Sequence, residues 1–286
     1  ICLSSVGCGI DLGQTATQQT FWHQGVERSF LYYAPKDLPP NAPLVLVFHG
    51  FTSNAQTIMD YSGYNQLADQ HGFAVAYPQG SIDAQGNTFW NVGYDFHADS
   101  GVDDLDYVAQ LLPFLQETYQ LSTRNTFAVG MSNGGELCYL LACQEASRFR
   151  AIATVAATMM SQELDRCQPA TEIPLLSIFG TADQTTRYQG DAANQDGWGA
   201  YAGIPSVIDF WAGRIQADTL IRDTLPDLVV EDGSWVQHEQ YRHTLTGPGF
   251  DFYKIVGGGH DWPGAWGNQD INASDLTWAF FAAHLD

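Results

Sequence analysis

Ser132 is flanked by glycines two residues before and two after it, in Gly130-Met131-Ser132-Asn133-Gly134-Gly135. An apolar run from Thr126 to Gly130 precedes it and reads as a buried strand, while Glu136 to Cys143 reads as a helix. A G-x-S-x-G pattern between strand and helix is a nucleophile elbow. Its glycines let backbones close around a strained turn, so the serine hydroxyl projects from the strand's C-terminal end. Because the helix begins at once, the Asn133 N–H aims at the same spot and is placed to hold an oxyanion. The chemistry this suits is acyl transfer through a covalent serine intermediate.

Such a serine needs a general base and an acid to orient it, expected in the chain order Ser, Asp or Glu, His. Downstream histidines are His238, His243, His260 and His284. His260 follows an apolar strand (Phe252 to Val256) and three glycines, a loop on which an imidazole can reach the nucleophile. His238 and His243 fall in a strand-like stretch and His284 on a terminal helix, where structural roles are expected. For the acid, Asp183 directly follows the strand Leu175 to Phe179; Asp191, Asp196 and Asp209 lie farther into loop or helix and are weaker candidates. The second oxyanion donor is expected just after the strand Leu44 to Phe48, from the N–H of Phe51 or, one residue on, Thr52. His49 reads as a buried hydrogen-bonding residue. No cysteine or histidine cluster has metal spacing, so neither metal nor cofactor is expected.

The elements that must position these groups are legible as alternating segments. Residues 15 to 34 alternate polar and apolar around Gln24-Gly25, predicting a hairpin. Continuous apolar runs at 44–48, 73–77, 126–130, 151–155 and 175–179 predict strands buried on both faces. Helices are expected from 55 to about 69, from 103 to 119, after Ser132, from 204 to 215 and from 276 to 284; 235–245 and 252–256 read as strands. Residues 184–204 carry no period and read as a long loop. Strand–helix alternation predicts an α/β fold with a mostly parallel central sheet, helices on both faces, and one domain over 1–286.

Composition narrows the partners. A formal charge of −21, with 11 Lys+Arg in 286 residues, repels nucleic acid and anionic lipid and favours neutral substrates. No apolar run has transmembrane length. The first residues, Ile1 to Gly9, resemble the tail of a bacterial lipoprotein signal with Cys8 as the lipidated residue; a Cys2–Cys8 bridge, or a bridge from one of them into the body, is the alternative. Either way residues 1–14 read as an exported N-terminal segment, and the protein as secreted, periplasmic or held at the cell surface.

The combination of Gly130 to Gly135, Val102-Asp103-Asp104, Gly180-Thr181-Ala182-Asp183 and Gly257-Gly258-Gly259-His260-Asp261-Trp262-Pro263-Gly264 resembles the α/β-hydrolase group that joins feruloyl esterases, acetyl xylan esterases and polyhydroxybutyrate depolymerases. The resemblance spans roughly residues 45 to 285. It implies a Ser132/Asp183/His260 triad acting on carboxylic esters, with a disulfide from Cys143 to Cys167 that contributes about 3 kcal/mol. Cys138 reads as a buried free thiol. Trp90 and Trp262, on the rim that carries the catalytic groups, are expected to wall an apolar substrate slot, joined by Trp198 and Tyr201. Feruloyl or acetyl esters of plant cell walls rank first as substrates, since no linker or polymer-binding module is recognisable. A polyhydroxybutyrate or broader polyester depolymerase ranks second, and a non-catalytic binder on a hydrolase scaffold third.

Overall fold

The computed structural model describes residues 15–245, 247 and 249–286. The proposed lipid anchor at Cys8 and the Cys2–Cys8 bridge lie outside the described residues. The first described elements are the antiparallel hairpin β1 (Thr17–His23) and β2 (Val26–Tyr33), turning at Gln24-Gly25 as the alternation predicts. Then come β3 (Leu44–Phe48), helices α1 (Ala55–Ser62) and α2 (Tyr64–His71), β4 (Ala74–Pro78), the two-residue strands β5 (Ser81–Ile82) and β6 (Thr88–Phe89), and α3 (Asp104–Thr118). The elbow strand β7 (Thr126–Met131) leads into α4 (Asn133–Gln144), followed by β8 (Ala151–Val155), the short α5 (Ser161–Arg166) and β9 (Leu175–Gly180). Helix α6 (Ile204–Arg214), strands β10 (Thr219–Thr224), β11 (Trp235–Arg242) and β12 (Phe250–Val256), and α7 (Ala273–Ala282) complete it.

Ten strands form one sheet in the order β1-β2-β4-β3-β7-β8-β9-β12-β11-β10. From β4 to β12 the neighbours are parallel, and antiparallel pairs flank this core on both sides. Alternate residues of the central strands serve opposite layers. Leu44, Leu46 and Phe48 pack with α3, α4 and α6, whereas Val45 and Val47 pack with α1, α2 and α7. A strand covered on both faces has no polar side to show, which is why these runs are continuously apolar.

One departure from the expected elements has a local cause. The helix expected from residue 55 to about 69 is split by Gly63, whose left-handed φ of 65° ends α1, with its N–H on the Met59 carbonyl, before α2 starts. The segment 184–204 is the expected loop, without helix or strand before Ile204, and isolated bridges of Tyr201 to both Asp191 and Met160 pin it. Among the described residues no helix is long and apolar enough to cross a membrane.

In a parallel sheet all C-terminal strand ends share one edge, and ligand sites form in the crevice beyond it. The segments after β3, β7, β9 and β12 begin at His49, Ser132, Thr181 and Gly257, so this topology alone gathers the residues singled out above. Cys143, at the end of α4, is bonded to Cys167, which lies between α5 and β9 and closes that helix onto the sheet.

Candidate active site

Ser132 adopts φ 54° and ψ −123°, a region a non-glycine residue enters only when its surroundings force it there. Its N–H donates to the Val155 carbonyl at 2.9 Å and its own carbonyl accepts from the Glu136 N–H at 2.8 Å. The glycines make the turn possible. A Cβ on Gly130 would stand 2.2 Å from the Gly134 carbonyl oxygen, and one on Gly134 would stand 2.3 Å from that of Phe48. Helix α4 therefore starts in backbone contact with β7 and β3, leaving the serine side chain as the part that faces outward.

Asp183 and His260 meet across the ends of β9 and β12. His260 Nδ1 lies 2.7 Å from Asp183 Oδ2, and the carboxylate is almost fully buried. Asp183 Oδ1 accepts the N–H groups of Thr185 and Thr186, both at 2.8 Å, so one oxygen is fixed by backbone and the other is left for the imidazole. An ionised carboxylate only accepts, which puts the ring proton on Nδ1 and leaves Nε2 with a free lone pair. The two loops fit because Gly180 presses on the glycine run: a Cβ there would sit 2.4 Å from the carbonyl oxygens of both Gly258 and Gly259.

The loop after β3 crosses close to the serine; a Cβ on Gly50 would be 3.4 Å from Ser132 Cβ. Of the two candidate donors, the Thr52 N–H is engaged by the Thr88 carbonyl at 2.8 Å, which leaves the Phe51 N–H as the candidate. His49 orients that peptide. The Gly80 N–H donates to its Nε2 at 2.9 Å, so Nδ1 carries the proton and donates to the Gly50 carbonyl at 2.8 Å. Burial pushes the His49 pKa down to about 4, keeping the ring neutral. In a trans peptide the carbonyl and the next N–H point to opposite sides, so holding the Gly50 oxygen turns the Phe51 N–H away from His49. Asn133 is bracketed by Trp90: its Oδ1 accepts the Trp90 N–H at 2.7 Å and its Nδ2 donates to the Trp90 carbonyl at 3.0 Å.

Ser132 and His260 line one cavity of about 240 Å³, together with the aromatic side chains of Phe51, Tyr94, Trp198 and Tyr201. Met160, Thr52, Thr185 and Thr186 complete most of the wall. The inclusion of Trp198 and Tyr201 agrees with the sequence reading, but the placement of Trp90 and Trp262 corrects it. Both indoles are buried away from this wall. Trp90 donates its Nε1–H to the His49 carbonyl at 2.9 Å, and Trp262 donates to Ser274 Oγ at 3.0 Å between Tyr61 and α7. A large ring with one donor gains most where the ring is covered and the N–H is met, and each finds that behind the rim.

Glu136, unremarked in the sequence, also borders the cavity. Its Oε2 accepts the Tyr94 hydroxyl at 2.6 Å. Burial raises its pKa to about 7, against the lowering effect of that hydrogen bond and of the nearby His260 ring. In sequence it looks like an acid placed in the first turn of a helix to complement the dipole, and nothing in the pattern marks it as facing a cavity.

The sequence profile of a family described as "Esterase PHB depolymerase" matches residues 28–209. The chain is 28% identical over 166 residues to a bifunctional acetylxylan esterase/xylanase of Neocallimastix patriciarum, covering 58% of this chain and 23% of that one. It is 27% identical over 235 residues to a putative esterase of Nocardia uniformis subsp. tsuyamanensis, covering 79% and 67%. Against poly(3-hydroxyalkanoate) depolymerase C of Paucimonas lemoignei it is 24% identical over 246 residues, covering 81% and 58%. The chain thus spans from about a quarter to two thirds of the length of these relatives. The solved acetyl xylan esterase from Aspergillus awamori superposes with a TM-score of 0.66 at 14% identity, over 93% of this chain and 99% of that one, a likeness of fold.

Proposed function

The chain belongs to the esterase PHB depolymerase family, and from that premise we propose that it is a serine carboxylic-ester hydrolase with Ser132 as nucleophile. The observation that carries this is the 2.7 Å contact between His260 and Asp183, on the same cavity that Ser132 lines. His260 Nε2 takes the Ser132 proton as Oγ attacks the ester carbonyl. Negative charge develops on the carbonyl oxygen and is held by the Phe51 and Asn133 N–H groups, the latter at the start of α4. His260 then returns the proton to the leaving alcohol, and water activated by the same ring hydrolyses the acyl-enzyme. Asp183 holds the ring tautomer and offsets the imidazolium charge. Positioning falls to His49 and Trp90, which fix the loop and Asn133 from behind.

The substrate reading is an ester with a short acyl group or a single ring, of the acetyl or feruloyl kind found on plant cell walls. A cavity of about 240 Å³ with four aromatic side chains supports it, since ligand pockets for larger molecules start at about 300 Å³. A polyester depolymerase is the second reading, favoured by the relative of Paucimonas lemoignei that matches 81% of this chain. The Cys143–Cys167 bond supports export to an oxidising compartment.

Turnover of methyl ferulate and of suspended amorphous poly-3-hydroxybutyrate, measured side by side with S132A as control, tests the assignment. Ferulate release with an inert polymer favours the first reading, and polymer clearing with slow ferulate turnover the second. Rates unchanged in S132A would refute the serine mechanism.

A further inference from the structure

Among the described residues that line the cavity, Glu136 alone is a carboxylic acid, and the proposed triad gives it no task. It lies four residues after Ser132 on the first turn of α4, roughly 6 Å along the helix axis at about 1.5 Å per residue. Helical side chains lean toward the N-terminus, which turns its carboxyl back toward the serine end of the cavity. Tyr94 holds Oε2 from the wall side.

Holding the Tyr94 hydroxyl does not need an acid. Glutamine has nearly the same shape, its amide oxygen would accept the Tyr94 hydroxyl equally, and it carries no charge to desolvate. Burial disfavours the ionised form, as the raised pKa records, so the acid costs stability that glutamine would not. A local choice that opposes stability inside a reaction cavity points to a task performed on the substrate.

Resting on the ester-hydrolase reading, we propose that Glu136, backed by Tyr94, accepts a hydrogen bond from a hydroxyl close to the scissile ester and selects substrates that carry one. A carboxyl so near the nucleophile meets groups within a few bonds of the carbonyl. Two sources present such a hydroxyl: the acyl chain, as in a 3-hydroxyacyl ester, or the alcohol, as in a sugar ester with a free vicinal hydroxyl. The carboxyl oxygen accepts in either protonation state, more strongly when ionised.

The test compares kcat/KM on matched pairs: ethyl 3-hydroxybutyrate against ethyl butyrate for the acyl side, and trans-2-hydroxycyclohexyl acetate against cyclohexyl acetate for the alcohol side. The wild-type enzyme is expected to prefer the hydroxylated member of at least one pair by about 10- to 100-fold, the range of one hydrogen bond to a charged group. In E136L/Y94F, which removes both partners so that no buried hydroxyl is orphaned, the ratio falls to about one. E136Q, which keeps the shape, lowers the ratio without loss of thermal stability. The pair that responds identifies the side on which the hydroxyl sits. A fluorophosphonate that labels Ser132 is run in parallel. Intact labelling with a wild-type ratio near one, or with a ratio unchanged in both variants, overturns the hydroxyl assignment and leaves the esterase reading standing. Equal loss on all four esters makes Glu136 an electrostatic support of the His260 imidazolium and likewise overturns it. Absent labelling of the wild type sinks the ester-hydrolase reading, and this one with it.

Discussion

At the residue scale, the buried ionisable groups of the site pull stability in opposite directions with pH. His49 has its folded pKa lowered to about 4 from an ordinary 6.5. Between those values the unfolded chain binds the extra proton, so stability falls as pH drops through the window, by up to about 3 kcal/mol. Glu136 is the reverse: its folded pKa is raised from 4.5 to about 7, the folded chain binds the extra proton between them, and stability falls as pH rises. The E136Q variant is therefore expected to gain on the wild type by up to about 3 kcal/mol between about pH 4.5 and pH 8, read by urea unfolding at both ends. An equal difference at both pH values would contradict the assignment. For activity, D183N is expected to lower kcat about 10⁴-fold by losing the ring tautomer, with little change in KM. The pairing of Asp183 with His260 was legible in the sequence because each lies within four residues of the end of a strand in a parallel sheet, where a short loop has few places to go. Glu136, Trp90 and Trp262 were not, since whether such side chains face a cavity or the core depends on packing from distant segments.

At the scale of elements, the junction of β7, α4 and β3 carries the geometry. Gly134→Ala places a Cβ against the Phe48 carbonyl, and no side-chain rotation relieves a clash with backbone. The variant is expected to lose at least about 3 kcal/mol, seen as a lower urea midpoint, together with most of its turnover. Stability unchanged from the wild type would show that α4 can move away from the sheet. The same scale explains which elements sequence reading recovers. Strands β3, β7, β8 and β9 are buried on both faces and stand out as apolar runs. Strand β10, Thr219–Thr224, is exposed along its whole length and exists through its pairing with β11, so its composition carries no strand signal. Strands β5 and β6 are two residues each and are set by their partner, not by pattern. The break at Gly63 was missed because a single glycine is compatible with a continuing helix until its φ turns positive.

At the scale of the whole molecule, charge and covalent closure set the working conditions. With a net charge of −21, an anionic ester approaches against the field of the protein and a neutral one does not. Raising the salt is expected to increase kcat/KM for a succinyl half-ester while leaving its neutral methyl analogue within about twofold, because screening acts on the charged encounter alone. Identical salt responses would exclude such a field at the cavity mouth. Replacing Cys143 and Cys167 by serine opens a loop of 24 residues in sequence separation and should cost about 3 kcal/mol, measured as a lower Tm. The central claim concerns one atom, the Ser132 hydroxyl, and the most direct measurement is mass spectrometry of the whole chain after reaction with a fluorophosphonate. A single adduct on the peptide containing Ser132, absent in S132A and strongly slowed in H260A, is the predicted result. An unlabelled wild-type protein, or an adduct that persists in S132A, would contradict it.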